Sequence, residues 1–148
     1  MNEIQQLYQQ VILDHNKSPR NYGHLPECSH KADGLNPLCG DHITVELYVH
    51  DGIIQDIRFT GAGCAISTSS ASIMTTVLKG KTAEEAERIF QEFHGVVTND
   101  DAVINEESLG KLAVFAGVRE FPARVKCASL AWHTVHAALQ GEQEISTE

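Results

Sequence analysis

Hydrophobic and polar positions along the chain fall into stretches of two different periods. From Glu3 to His15, Ile4, Leu7, Tyr8, Val11 and Ile12 recur at the spacing of one helical face. Asn16, Ser18 and Pro19 end that helix, because proline lacks an N–H and restricts the residue before it. Asn21 to Pro37, rich in Gly, Pro, Asn and His, reads as loop with one short edge strand near Ser29 to Asp33. The period then changes to two. Ile43, Val45, Leu47 and Val49 alternate with Thr44, Glu46 and Tyr48, and Ile53, Ile57 and Phe59 share a face in the next stretch, which runs to Thr60. Asp51-Gly52 between them is a hairpin signal. A two-residue loop would pair His50 with Ile53 and throw the two apolar rows onto opposite faces. A three-residue loop of His50, Asp51 and Gly52 pairs Val49 with Ile53, Val45 with Ile57 and Ile43 with Phe59. It keeps one apolar face, and is the expected register.

The helical period returns at Cys64 and runs to about Lys79, closed by Gly80, with Ile66, Ile73, Met74, Val77 and Leu78 as apolar positions among many serines. Thr82 and Glu85 make a capping box for a helix to His94, with Ala86, Ile89, Phe90 and Phe93 inward and Gly95 as its stop. Val96 to Asn105 reads as polar loop and Glu107 to Ala116 as a short helix. Phe121-Pro122 starts the last helix, proline being favoured in a first turn. That helix reaches about Gln140 and packs through Val125, Ala128, Trp132, Val135 and Leu139. The acidic end, Gly141 to Glu148, is expected to fray.

Composition narrows the function classes. A chain of 148 residues, 42% hydrophobic and 21% charged, fits one globular domain spanning 1–148. A net charge of -9 argues against nucleic acid or an anionic membrane as the main partner. No apolar run approaches the 18 or so residues of a spanning helix. The first residues lack the charged and apolar regions of a signal peptide, so a cytoplasmic protein with reduced thiols is expected. Four cysteines in that setting suggest metal or redox chemistry more than disulfides.

The expected hairpin register bears on those cysteines. Continued past the strands, it sets Asp41 opposite Gly61 and Cys39 opposite Gly63, which brings Cys39 and Cys64 to within about 7 Å. Gly61 and Gly63 leave room there for an ion. Cys127 lies in the first turns of the last helix, off its main apolar stripe. Cys39, Asp41, Cys64 and Cys127 together would offer three thiols and a carboxylate, a donor set suited to zinc or to the irons of a small cluster. The spacings are not CxxC pairs, and buried cysteine also serves as a plain small hydrophobe, so the residues alone leave both readings open. Cys28 has no evident partner and reads as a spectator. His94 reads as a charge partner for its helix C-terminus, His133 and His136 as packed or solvated, and His42 as pointing away from Asp41. Arg119, Arg124 and Lys126, near Cys127, either are solvated or lower the thiol pKa or receive an acidic partner.

Several ordered blocks carry a resemblance over nearly the whole chain: Leu7-Tyr8-Gln9-Gln10-Val11-Ile12-Leu13-Asp14-His15 with Pro19-Arg20-Asn21; Asn36-Pro37-Leu38-Cys39-Gly40-Asp41; Phe59-Thr60-Gly61-Ala62-Gly63-Cys64-Ala65-Ile66-Ser67 with Ser69-Ser70-Ala71-Ser72; and Phe121-Pro122-Ala123-Arg124-Val125-Lys126-Cys127-Ala128-Ser129-Leu130-Ala131-Trp132. In these the chain resembles the U-type iron–sulfur cluster assembly proteins, the NifU N-terminal, IscU and SufU family. The resemblance implies an α+β fold, a three-stranded antiparallel sheet packed against about five helices, with metal ligands at Cys39, Asp41, Cys64 and Cys127. Lys126 stands where IscU scaffolds carry a histidine, and the segment between Cys64 and Cys127 is longer than theirs, so the likeness leans toward SufU. It then implies bound zinc and sulfur accepted, with Cys39 as acceptor, from a PLP-dependent cysteine desulfurase of the SufS kind, for downstream iron–sulfur scaffold or acceptor proteins. The IscU side of the family implies instead a scaffold for a [2Fe–2S] cluster, with iron in place of zinc.

Overall fold

In the computed structural model, which describes residues 3–98 and 110–146, the two alternating stretches form the antiparallel pair β2 (Asp41–His50) and β3 (Ile53–Ala62). Before them come helix α1 (Glu3–Lys17) and strand β1 (His30–Asn36). After them come α2 (Ala65–Leu78), α3 (Ala83–Thr98), a 3₁₀ segment (Gly110–Glu120), α4 (Pro122–Leu139) and a short strand β4 (Glu144–Ser146). The sheet order is β3-β2-β1-β4, antiparallel except for the β1–β4 pair. The fold is α+β, as expected, with four strands in a mixed sheet rather than three antiparallel ones.

The apolar row of the hairpin faces the helices. Ala32, Ile43, Val45, Leu47, Ile54, Ile57 and Phe59 join Ile73, Met74 and Leu78 of α2, Phe93 of α3 and Leu130 and Trp132 of α4 in one buried cluster. Small residues let α4 lie close to β1. A Cβ at Gly34 would collide with Thr134 Oγ1, with Leu130 Cδ1 3.2 Å away.

The hairpin register differs from the expected one. Asp51 and Gly52 both have positive φ (53° and 74°) and form a two-residue turn, so His50 does pair with Ile53. A bulge between Tyr48 and Val49 then leaves Gln55 without an opposite residue, since Val49 pairs with Ile54 and Tyr48 with Asp56. One extra residue reverses the parity. Val45 therefore meets Phe59 and Leu47 meets Ile57, and the single apolar face is kept by a different route.

The chain end also departs from expectation. Gly141 (φ 83°) ends α4 in a Schellman motif, Glu142 N–H donating to Ala137 O at 2.8 Å and Gly141 N–H to Ala138 O at 3.1 Å. The reversal lets Glu144–Ser146 pair in parallel with Asp33–Leu35, so this end is a strand up to Ser146 and β1 is an inner strand, not an edge. Gly95 does not stop α3, which continues to Thr98 because buried Val96 and Val97 extend the packed face set by Phe93. That packing outweighs the cost of about 1 kcal/mol for a glycine inside a helix. His94 is consequently inside α3, not at its last carbonyls. The expected helix at Glu107–Ala116 appears from Gly110 onward as 3₁₀; Glu107 to Leu109 and most of the expected polar loop lie outside the described residues.

Candidate metal centre

Three elements end at one point: the β1–β2 hairpin, the N-terminus of α2 and the first turns of α4. Asn36 and Asp41 face each other as the last pair of β1 and the first of β2, with Pro37–Gly40 as the tight connection. Cys39 sits at its tip, half-buried, its N–H donating to Asn36 O at 3.2 Å. Leu38 beside it is 66% exposed.

Asp41 is buried, and its carboxylate is held at both oxygens. Oδ1 accepts the Cys64 N–H at 2.9 Å, and Oδ2 accepts from the Asn36 side-chain amide at 3.0 Å. Asp41 lies against Gly63, two residues further along than the expected register had it. The two-residue offset follows from the turn and bulge described above.

Cys64 is the N-cap of α2, its Sγ accepting the Ser67 N–H at 3.4 Å. Cys127 on α4 is fully buried (0% exposed) and faces the same point from off the helix's main apolar stripe. Its thiol donates to Cys39 Sγ at 3.2 Å. Burial pushes the Cys127 thiol well above its usual range, helped by hydrogen bonds with the Cys39 and Cys64 thiols and by the charges of Cys64 and Asp41. One ligand atom from each of Cys39, Asp41 and Cys127 lies within 4.8 Å of the other two. Cys64 stands outside that mutual set and reaches it through its backbone N–H on Asp41. Cys28 is exposed and donates to His30 O at 3.0 Å, and His42 is 3.6 Å from Asp33; among the described residues neither takes part.

The donor set fits a soft divalent ion. Soft sulfur and one hard oxygen are the atoms zinc takes, and bringing them together out of water is costly for the ionised forms unless a cation joins them. Two supporting features escaped the sequence reading. The first is Asn36, whose amide also reaches Cys127 Sγ at 3.5 Å; its signal was its place in the Asn-Pro-Leu-Cys-Gly-Asp block. The second is the serine run of α2. Ser70 Oγ donates to Ala128 O, locking α2 onto α4 beside Cys127. Ser72 Oγ accepts the Arg20 N–H at 2.8 Å and bonds to buried His15 Nδ1 at 2.7 Å, tying α1 to the same helix.

These observations define a class: an α+β domain that gathers three cysteines and an aspartate where a hairpin and two helix starts converge. The family model described as the NifU-like N-terminal domain matches residues 7–141. The zinc-dependent sulfurtransferase SufU of Bacillus subtilis (strain 168) is 41% identical over 93% of this chain and 92% of its own. The iron–sulfur cluster assembly scaffold protein IscU of Streptococcus pyogenes serotype M1 is 36% identical over 95% and 87%. Among solved structures, a candidate iron–sulfur cluster assembly scaffold protein for the SUF system from Fervidobacterium islandicum AW-1 superposes with a TM-score of 0.83. It is 31% identical, over 90% of this chain and 97% of that one. The chain belongs to the family of NifU-like N-terminal domains.

Proposed function

We propose that this protein serves iron–sulfur cluster assembly as a zinc-dependent sulfurtransferase, with Cys39, Asp41, Cys64 and Cys127 as the zinc ligands. What carries the reading is the convergence of Cys39, Asp41 and Cys127 with Cys64 at their side. The 41% identity to the SufU sulfurtransferase over nearly the whole chain supports it. Zinc, when bound, supplies the positive charge that keeps the thiols ionised near neutral pH.

The chain's own residues set the rest. Asp41 is oriented at both oxygens, Cys127 is sealed in the core, and Cys64 is held by the start of α2. Cys39 rides the hairpin tip, half-exposed, and is the acceptor. A PLP-dependent cysteine desulfurase presents a persulfide, and the Cys39 thiolate attacks its outer sulfur. The partner's S–S bond breaks, its cysteine leaves as a thiolate, and Cys39 becomes the persulfide, with no net oxidation or reduction. Downstream scaffold or acceptor proteins then take the sulfur. Among the described residues no helix is long and apolar enough to cross a membrane.

The test is desulfurase turnover and mass-spectrometric location of the transferred sulfur in wild type, Cys39→Ala and Cys64→Ala. Stimulation of turnover by the wild type and loss of persulfide in Cys39→Ala are expected. Acceptance retained in Cys39→Ala but lost in Cys64→Ala overturns the assignment. The 36% identity to an IscU scaffold favours a second reading, in which a [2Fe–2S] cluster is assembled at the same residues as cargo. Anaerobic reconstitution with iron and sulfide decides: a stable, transferable cluster with visible absorption supports the scaffold.

A further inference from the structure

Asn36 touches three of the four residues assigned to the metal. Its carbonyl accepts the Cys39 N–H at 3.2 Å, and its side-chain amide donates to Asp41 Oδ2 at 3.0 Å and to Cys127 Sγ at 3.5 Å. It is 0% exposed, at the last position of β1 opposite Asp41. A carboxylate only accepts hydrogen bonds, so the NH₂ end of the amide must face it, and its two hydrogens match two acceptors.

The three thiols are therefore not equivalent. Cys127 Sγ receives an amide N–H from Asn36, and Cys64 Sγ receives the Ser67 N–H. Among the described residues Cys39 Sγ receives no N–H, only the weaker S–H donor of Cys127. An N–H bonded to a thiolate withdraws charge from sulfur, which stabilises the anion and weakens it as a nucleophile. The thiolate without such a donor stays the most reactive.

We propose that Asn36 is a positioning residue that selects the sulfur acceptor. It orients Asp41 and quiets Cys127 as a fixed ligand, leaving Cys39 as the reactive thiol. The inference rests on the zinc reading above and goes beyond it by explaining why one of three similar thiolates reacts.

Two variants, Asn36→Asp and Asn36→Leu, keep much of the volume and remove the donor. Thr134→Val, a change at a fully buried polar residue on α4, is the control for general loosening. Cobalt(II) is titrated into each metal-free protein, and the sulfur-to-cobalt charge-transfer bands and affinity are read. Both Asn36 variants are expected to shift those bands to longer wavelength and to lose about 10- to 100-fold in affinity. Thr134→Val should keep the wild-type bands. Unchanged bands and affinity in the Asn36 variants overturn the inference alone, while a wild type that takes up no cobalt overturns the metal reading and this inference with it. A measurement free of variants stands beside these: in wild type loaded with ¹¹³Cd, the Asn36 side-chain protons should show coupling to the metal through the N–H···S bond. Absence of that coupling counts against the proposal even if the variants fail to fold.

Discussion

Gly63→Ala isolates the carboxylate's support from the ligands themselves. An added methyl at this position would stand 2.6 Å from Asp41 Oδ1, 3.2 Å from its Cγ and 3.3 Å from its Cβ. An unstrained contact needs about 3.5–4.0 Å. Gly63 is not among the positive-φ glycines, so alanine strains no backbone and the whole displacement falls on Asp41. Moving Oδ1 away by about 1 Å breaks its 2.9 Å bond to the Cys64 amide. A hydrogen bond to a charged group is worth about 1.5–3 kcal/mol, or about 10- to 150-fold in an equilibrium constant. Zinc affinity, measured by competition with a chromophoric chelator, should fall within that range. Urea unfolding of the metal-free variant, run in parallel, should remain cooperative. A variant that folds like wild type and holds zinc within twofold of it would refute the claim that Gly63 is there to admit Asp41.

Three further outcomes follow from the packing. Gly34→Ala drives a methyl into Thr134 Oγ1 between β1 and α4 and should destabilise the fold by about 1–3 kcal/mol in urea, with Thr134→Ala restoring part of it. Thr82→Ala removes one of the two 3.1 Å bonds of the α3 capping box, the Glu85 N–H to Thr82 Oγ1, and should lose about 0.5–2 kcal/mol without changing zinc affinity. Burial, aided by the charges of Arg20 and Lys111, pushes His15 down to about 4 from 6.5. The unfolded chain then takes up the proton first as pH falls. Its contribution to stability is full above about pH 6.5 and is lost between there and about 4, at up to about 1.4 kcal/mol per pH unit. Denaturant titrations of His15→Gln should show a flatter pH dependence over that window; an identical slope would contradict the assignment.

Much of this architecture was legible in the chain because single positions signalled it. Thr82 and Glu85 announced the start of α3, Pro122 the start of α4, and the alternation from Ile43 to Phe59 a hairpin with one buried face. The register was not legible, because the bulge at Gln55 has no side-chain signature and parity alone pointed to a longer turn. β4 was hidden by its acidic composition: only Ile145 packs on the core, and the signal for its return was Gly141 at the end of α4. The serines of α2 weakened a periodicity argument yet are buried, since Ser70 and Ser72 fasten α2 to α4 and to α1 by hydrogen bonds that hydrophobic spacing cannot register. At the candidate site the block Asn36 to Asp41 drew attention to its cysteine and aspartate. Asn36 itself went unnoticed because its partner Cys127 lies 91 positions away.

The account stands on one ion shared by residues from a hairpin tip, a helix cap and a buried helical turn. X-ray absorption at the zinc K-edge on the zinc-loaded protein tests this most directly. It should return three sulfurs at about 2.3 Å and one oxygen at about 2.0–2.2 Å, falling to two sulfurs in Cys39→Ala. A shell of nitrogen and oxygen alone, or a protein that retains no zinc, would contradict it.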